Sequence, residues 1–230
     1  MIKMIVFDMA GTVIDENNVV YKTLLEAIHA EGYQLTLEQV LAEGAGKEKF
    51  QAIKDVLQKY AGVVSYEMLN RIFQNFQSKL SSAYQVLEII AQPGAEELFR
   101  ELKKKGIYIV LNTGYDLRTA KLILRKVGWE EGNQIDAIVT ASDVVNSRPQ
   151  PDMIEFAKEE FEMNSTDQIV KIGDSIIDIE EGLNAKCFLN IGITTGAHSR
   201  EQLLTAKPDY VIDNLLEILP LIERVNLNPF

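Results

Sequence analysis

The chain has 230 residues, 47% hydrophobic and 25% charged, which suits one large domain or a core with a small companion and excludes a disordered chain. Its net charge of −11 argues against nucleic-acid binding, and no apolar run reaches the roughly 18 residues a membrane span needs. The single cysteine, Cys187, excludes an internal disulfide and any zinc site built from several cysteines.

The first element in the chain is the apolar run Met4–Phe7, which reads as a buried parallel strand and leads into Asp8. The stretch MIKMIVFDMAGT is not expected to act as a signal peptide, because its apolar run is short and leads straight into an acid. With the lone cysteine, this sets the expectation of a cytoplasmic protein. After a Gly-Thr turn, four segments carry apolar residues at helical spacing: Tyr21–Glu31, Leu37–Glu43, Lys47–Tyr60 and Tyr66–Ile90. From Pro93-Gly94 onward the pattern changes. Helical stretches (AEELFRELKKK before Gly106, Asp116–Val127, Asp152–Phe161) alternate with the short runs Ile107–Leu111, Ala137–Thr140, Ile169–Ile172, Phe188–Ile191 and Tyr210–Ile212.

This alternation predicts an α/β fold, a doubly wound parallel sheet with helices on both faces. The helical segments after the first strand predict an inserted all-helical cap. The expected division is a core of residues 1–14 and 91–230 with a cap of residues 15–90.

Ligands bind outside the carboxyl ends of strands in such sheets. The residues there are Asp8, Asn112-Thr113-Gly114, Ser142-Asp143 and Gly173-Asp174-Ser175, with Asp178 at a helix start. Singly, each is accounted for by helix capping, and Asp143 is read that way. Together, Asp8, Asp174 and Asp178 would crowd like charges, which is costly without a cation. All-oxygen ligands suit a hard ion such as Mg²⁺.

The segments DMAGTVID (8–15), LNTGYD (111–116), SRPQPDM (147–153) and IGDSIIDIEEGLNA (172–185) resemble, in order, the four motifs of the haloacid dehalogenase-like hydrolases. The resemblance implies that core fold and a helical cap in the inserted position. It implies Asp8 as nucleophile, forming an aspartyl-phosphate. It implies Mg²⁺ held by Asp8, the carbonyl of Ala10 and Asp174, with Asp178 acting directly or through water and Arg148. Thr113 and backbone N–H groups near Gly114 would bind the phosphoryl oxygens, and Arg148 would neutralise the phosphoryl group and Asp8.

Ala10 stands where most phosphatases of the superfamily carry a second aspartate. With TGYD and Arg-Pro-x-Pro, it makes the chain similar to the phosphonatase branch. That branch implies a cap lysine that forms a Schiff base with a substrate aldehyde. Lys47, after Gly44-Ala45-Gly46, is the candidate for catalysis and substrate binding, with Lys49 as a neighbour; Lys47 is equally readable as a first-turn surface lysine of the helix Lys47–Tyr60. The branch places a histidine one turn after its lysine, and here that position is Phe50. His29 reads as a helix-surface residue, and His198 lies on a late loop near the sheet edge.

The expected activity is hydrolysis of a small phosphorylated or phosphonylated metabolite by a monomer or homodimer. The alternatives are a phosphonoacetaldehyde hydrolase using the cap lysine, or a catalytically weak metabolite-binding protein that lost its acid at Ala10. A phosphomutase would need the second aspartate. A haloacid dehalogenase proper would need no Mg²⁺.

Overall fold

The computed structural model describes residues 1–62 and 65–227. The central strand, β1 (Met4–Asp8), is buried along its whole length. Ile5 and Phe7 point into one apolar layer, Met4 and Val6 into the other. Both faces are covered, so the strand is apolar at every position rather than at every second one.

After β1 comes a two-residue strand, β2 (Ile14–Asp15). Four helices follow: α1 (Val19–Ala30), α2 (Leu37–Gly44), α3 (Lys49–Ala61) and α4 (Tyr66–Val86). They form the inserted helical cap. The chain returns through β3 (Ile90–Ala91), which pairs antiparallel with β2 so that the two crossings between cap and core lie side by side.

The expected helix Tyr66–Ile90 therefore ends early. Leu87 leaves the helical region at ψ 134°, and Ile90 joins a strand. The expected helix from Lys47 starts instead at Lys49, because the Glu48 carboxylate accepts from the N–H groups of Phe50 and Gln51, both at 2.9 Å, and caps it there.

The remainder alternates: α5 (Ala95–Lys104), β4 (Tyr108–Thr113), α6 (Leu117–Val127), β5 (Ala137–Thr140), α7 (Asp152–Glu160), β6 (Ile169–Gly173), α8 (Ile176–Asn184), β7 (Leu189–Ile193), α9 (Arg200–Thr205), β8 (Tyr210–Ile212) and α10 (Ile218–Leu227). The six long strands form one parallel sheet in the order β5-β4-β1-β6-β7-β8. The chain fills one side of β1, then crosses to the other. The strand order thus reverses at β1, where such sheets open a crevice at their carboxyl ends. Phe99 of α5 packs edge-on against Phe7, with ring centroids 5.5 Å apart, and ties that helix to the strand that carries Asp8. Among the described residues no helix is long and apolar enough to cross a membrane.

Candidate active site

The carboxyl ends of β1, β4 and β6 bring Asp8, Thr113 and Asp174 together, and the first turn of α8 adds Asp178. Asp8, Asp174 and Asp178 are buried, and each offers a carboxylate oxygen within 4.8 Å of the others. Arg148 reaches in from the loop before α7. Its Nη1 lies 2.6 Å from Asp8 and 3.0 Å from Asp178, and its Nε donates to Glu181 at 3.0 Å. Nη2 donates to the carbonyl of Asn112 at 2.8 Å.

A second cation, Lys171, stands mid-strand in β6. Its Nζ lies 2.9 Å from Asp178 and 3.1 Å from Glu181, and donates to Asn112 Oδ1 at 2.7 Å. The side-chain amide of Asn112 in turn donates to Glu181 at 2.9 and 3.0 Å. Lys171, Glu181 and Asn112 received no role from the sequence. The signal for Lys171 was there: a lysine inside a strand covered on both faces must find carboxylates.

Charges do not balance in this cluster. Four carboxylates (Asp8, Asp174, Asp178, Glu181) face two cations (Arg148, Lys171). The consequences differ from group to group. Burial raises Asp8 above the ordinary carboxylate range, with the charge of Asp178 adding to the rise. Burial likewise raises Asp174 well above it, helped by the charges of Asp8 and Asp178. For Asp178, burial is outweighed by Arg148 and Lys171, which hold it below that range. Both cations meet at its Oδ1, Arg148 at 3.0 Å and Lys171 at 2.9 Å. A buried all-oxygen set with two negative charges in excess fits a hard divalent cation.

Asp174 is closely cradled. It accepts from Ala197 N–H at 2.6 Å and from the Thr12 hydroxyl at 3.4 Å. A Cβ on Gly196 would come within 1.9 Å of its Oδ2, and Gly11 (φ +92°) is similarly close at 2.4 Å. Gly114 has the same tightness toward the cap: a Cβ there would meet the carbonyl of Lys47 at 2.8 Å.

The cap is closed on the core. Its Gly44–Lys47 loop lies over Gly114 and Ser175, and His198 bridges the two parts. His198 Nδ1 accepts from Ile176 N–H at 3.0 Å, which leaves Nε2 to donate to the Leu41 carbonyl at 3.2 Å. Burial holds this imidazole below its ordinary pKa, so it stays neutral. His198 is thus a tie between cap and core, and His29 bonds the Leu35 carbonyl within the cap.

Of the two cap lysines, the structure brings Lys49 to the cleft and not Lys47. The Lys47 ammonium is held 2.9 Å from Glu43 and 2.7 Å from Asp55. Lys49 is buried, lines the cleft with Asp8, Ala10, Thr113 and Arg148, and donates to the Lys47 carbonyl at 2.7 Å. Its Nζ sits 5.2 Å from the ring centre of Tyr21 and 5.3 Å from that of Tyr115. Burial brings its pKa down to about 8, with Asp8 pulling the other way. Behind Tyr115 lies a buried carboxyl, Glu16, bonded by the Tyr84 hydroxyl and raised by burial to about 7. These aromatic partners come from separate elements, so no spacing in the sequence announces them.

Phe50, where the branch has its histidine, packs on Phe73 with centroids 5.4 Å apart, as part of the cap's apolar contacts. Asp143 closes the loop after β5 by accepting from the Thr140 N–H and hydroxyl at 2.8 and 2.7 Å.

A sequence profile of the haloacid dehalogenase-like hydrolases matches residues 5–191. The chain is 29% identical, over an alignment of 262 positions covering 96% of each chain, to a phosphonoacetaldehyde hydrolase of Parabacteroides distasonis. It is 25% identical to the pyrophosphatase PpaX of Bacillus mycoides, covering 98% of this chain and 99% of that one. The crystal structure of a phosphonoacetaldehyde hydrolase-like protein from Oleispira antarctica superposes with a TM-score of 0.84 at 26% identity, over 98% of this chain and 93% of that one.

Proposed function

The chain belongs to the haloacid dehalogenase-like hydrolases, and from that premise we propose that it is a Mg²⁺-dependent phosphohydrolase of the phosphonatase-like group, acting on a small phosphorylated or phosphonylated metabolite. The observation that carries the reading is the position of Asp8. Its carboxylate lies at the crevice where the strand order reverses, paired with Arg148 and grouped with Asp174 and Asp178.

In this reading an oxygen of Asp8 attacks phosphorus, the bond from phosphorus to the leaving group breaks, and Asp8 carries the phosphoryl group until water releases it as phosphate. Arg148 holds Asp8 in place and offsets the charge that gathers on the transferring group. The Thr113 hydroxyl and the N–H groups at Gly114 donate to the phosphoryl oxygens. Asp8, Asp174, Asp178 and the Ala10 carbonyl would hold Mg²⁺, whose charge would offset that of the phosphoryl oxygens when it is bound.

Ala10 leaves the leaving group without the usual aspartic acid. Lys49 is the group in the cleft suited to replace it. An ammonium with a pKa of about 8 is mostly protonated at pH 7, so it can give a proton to a departing alkoxide. The same depression leaves a neutral fraction able to attack an aldehyde. That property favours a second reading, in which phosphonoacetaldehyde forms an imine with Lys49 and departs as an enamine. Borohydride with phosphonoacetaldehyde decides between them. Reduction to a stable adduct on Lys49 supports the imine, and an unmodified Lys49 leaves ester hydrolysis.

Lys49 also costs stability while it serves the site. Its pKa is 10.5 when exposed and about 8 when folded, so the unfolded chain holds its proton more tightly. The folded state is therefore penalised below pH 8, and the penalty lifts as pH rises from 8 to 10.5. Lys49→Met is expected to lose activity by about 10²- to 10⁴-fold. At pH 7 it should unfold at the same or higher urea concentration than the wild type. Lower stability with full activity would show that Lys49 is a structural residue.

Metal dependence tests the reading as a whole. Asp8 and Asp174 have raised pKa values, so in metal-free protein they cost stability increasingly as pH rises from 3.8 through those values. Saturating Mg²⁺ at pH 7.5 is expected to raise the melting temperature by on the order of 5 °C. EDTA should abolish turnover of phosphate esters. Unchanged melting and unchanged turnover in EDTA would overturn the proposal.

A further inference from the structure

The cleft around Asp8 is closed down to about 10 Å³, room for little more than a water. Beside it, between α4 and α6, lies a cavity of about 640 Å³. Lys49, Gly114 and Tyr115 line both, so the two spaces meet at the proposed proton donor. Cavities of roughly 300–1,000 Å³ enclose whole drug-sized ligands. A two-carbon aldehyde phosphonate would leave most of this one empty.

The walls say what would fill it. Phe73, Phe76 and Leu80 of α4 and Leu122 of α6 supply an apolar lining. Arg118 and Arg125 of α6 line the same cavity. They are seven residues apart on one helix face, about 10 Å along its axis at ~1.5 Å per residue. Both are exposed, and neither forms an ion pair among the described residues. The carboxylates of Glu48 and Asp116 also line the cavity, but each is occupied in capping a helix, α3 and α6. Among the described residues Arg100 and Arg224 likewise lack an ion pair, but they do not line this cavity; in a chain of net charge −11, two arginines without a carboxylate partner in one cavity mark a place for an anion.

We propose that this cavity receives the leaving group of the substrate, and that the leaving group is an extended apolar or aromatic body ending in an oxyanion that Arg118 and Arg125 bind. The assignment rests on the reading of Asp8 as phosphoryl acceptor. It places the scissile bond at Asp8, the departing atom at Lys49, and the far end of the molecule along α6. Substrates of this class are phosphate monoesters whose apolar or aromatic leaving group carries a second acidic group at its far end.

Two esters test it: 4′-carboxybiphenyl-4-yl phosphate and biphenyl-4-yl phosphate, which differ only in the distal carboxylate. The wild type is expected to show a kcat/KM about tenfold higher for the carboxylate, the scale of one charge-assisted contact. In the double variant Arg118→Gln, Arg125→Gln the ratio should fall to near one. Equal kcat/KM in the wild type, or a ratio kept in the double variant, would overturn the proposal. If neither ester turns over, the phosphoryl-transfer reading fails by itself. Calorimetry with the corresponding unreactive phosphonic acids then decides the cavity: about tenfold tighter binding of the carboxylate, lost in the double variant, supports it, and equal binding overturns it.

Discussion

Asp8→Asn is expected to lower kcat by about 10⁴-fold or more, the scale on which loss of a covalent nucleophile is felt. The amide fills the same space at the end of β1 but cannot accept the phosphoryl group. The fold should survive, because one negative charge leaves a cluster that has too many. Asp8 is held above the ordinary carboxylate range by burial and by Asp178, so the neutral amide removes a cost. The variant should therefore melt no lower than the wild type in EDTA and bind Mg²⁺ more weakly. Loss of activity through unfolding would show in the melting curve. Retained activity would mean that another group takes the phosphoryl.

Arg148→Met should do the most damage to stability. The guanidinium is fully enclosed and touches three carboxylates. Its pKa is driven up by Asp178, Glu181 and Asp8 against the effect of burial, a sign of how strongly the charged form is held. Removing it leaves Lys171 alone against Asp8, Asp174, Asp178 and Glu181. Breaking a buried pair in this way costs about 3–5 kcal/mol, to be read from urea unfolding in EDTA.

The pH dependence of that variant has a definite sign. In the wild type Asp178 has a lowered pKa, so its contribution is full above its ordinary value of 3.8 and disappears as pH falls through the lowered one. In the variant that contribution shrinks, and stability in EDTA should fall more steeply than in the wild type as pH rises above 4. Mg²⁺ should recover part of the loss, since a divalent ion replaces the missing positive charge. A variant as stable as the wild type in EDTA would mean the carboxylates are not charged together.

Much of this site is legible in the amino-acid sequence, and for a physical reason. Parallel strands covered on both faces are short apolar runs, and their carboxyl ends are where polar residues gather. Asp8, Thr113 and Asp174 follow from that alone. The end of α4 is harder to read. Leu87, Ile89 and Ile90 continue an apolar pattern, and no Pro or Gly interrupts it before Pro93, so the short strand β3 is hidden.

The cap lysine is harder still. Lys47 and Lys49 are two residues apart, and the choice between them depends on a loop turned by Gly46 at φ +76° and a helix capped by Glu48. Those features send Lys47 out to Glu43 and Asp55 and Lys49 into the cleft. The aromatic surroundings of Lys49 are less legible again, because Tyr21 and Tyr115 come from cap and core and meet only when the cap is closed.

The most direct test of the central claim is a rapid-quench experiment on Mg²⁺-loaded protein with a phosphate ester it turns over, followed by mass spectrometry of the peptide containing Asp8. One phosphoryl group is expected on Asp8 during turnover and none in the Asp8→Asn variant. A peptide that stays unmodified while phosphate is released in a burst, or a phosphoryl group on any other residue, would contradict it.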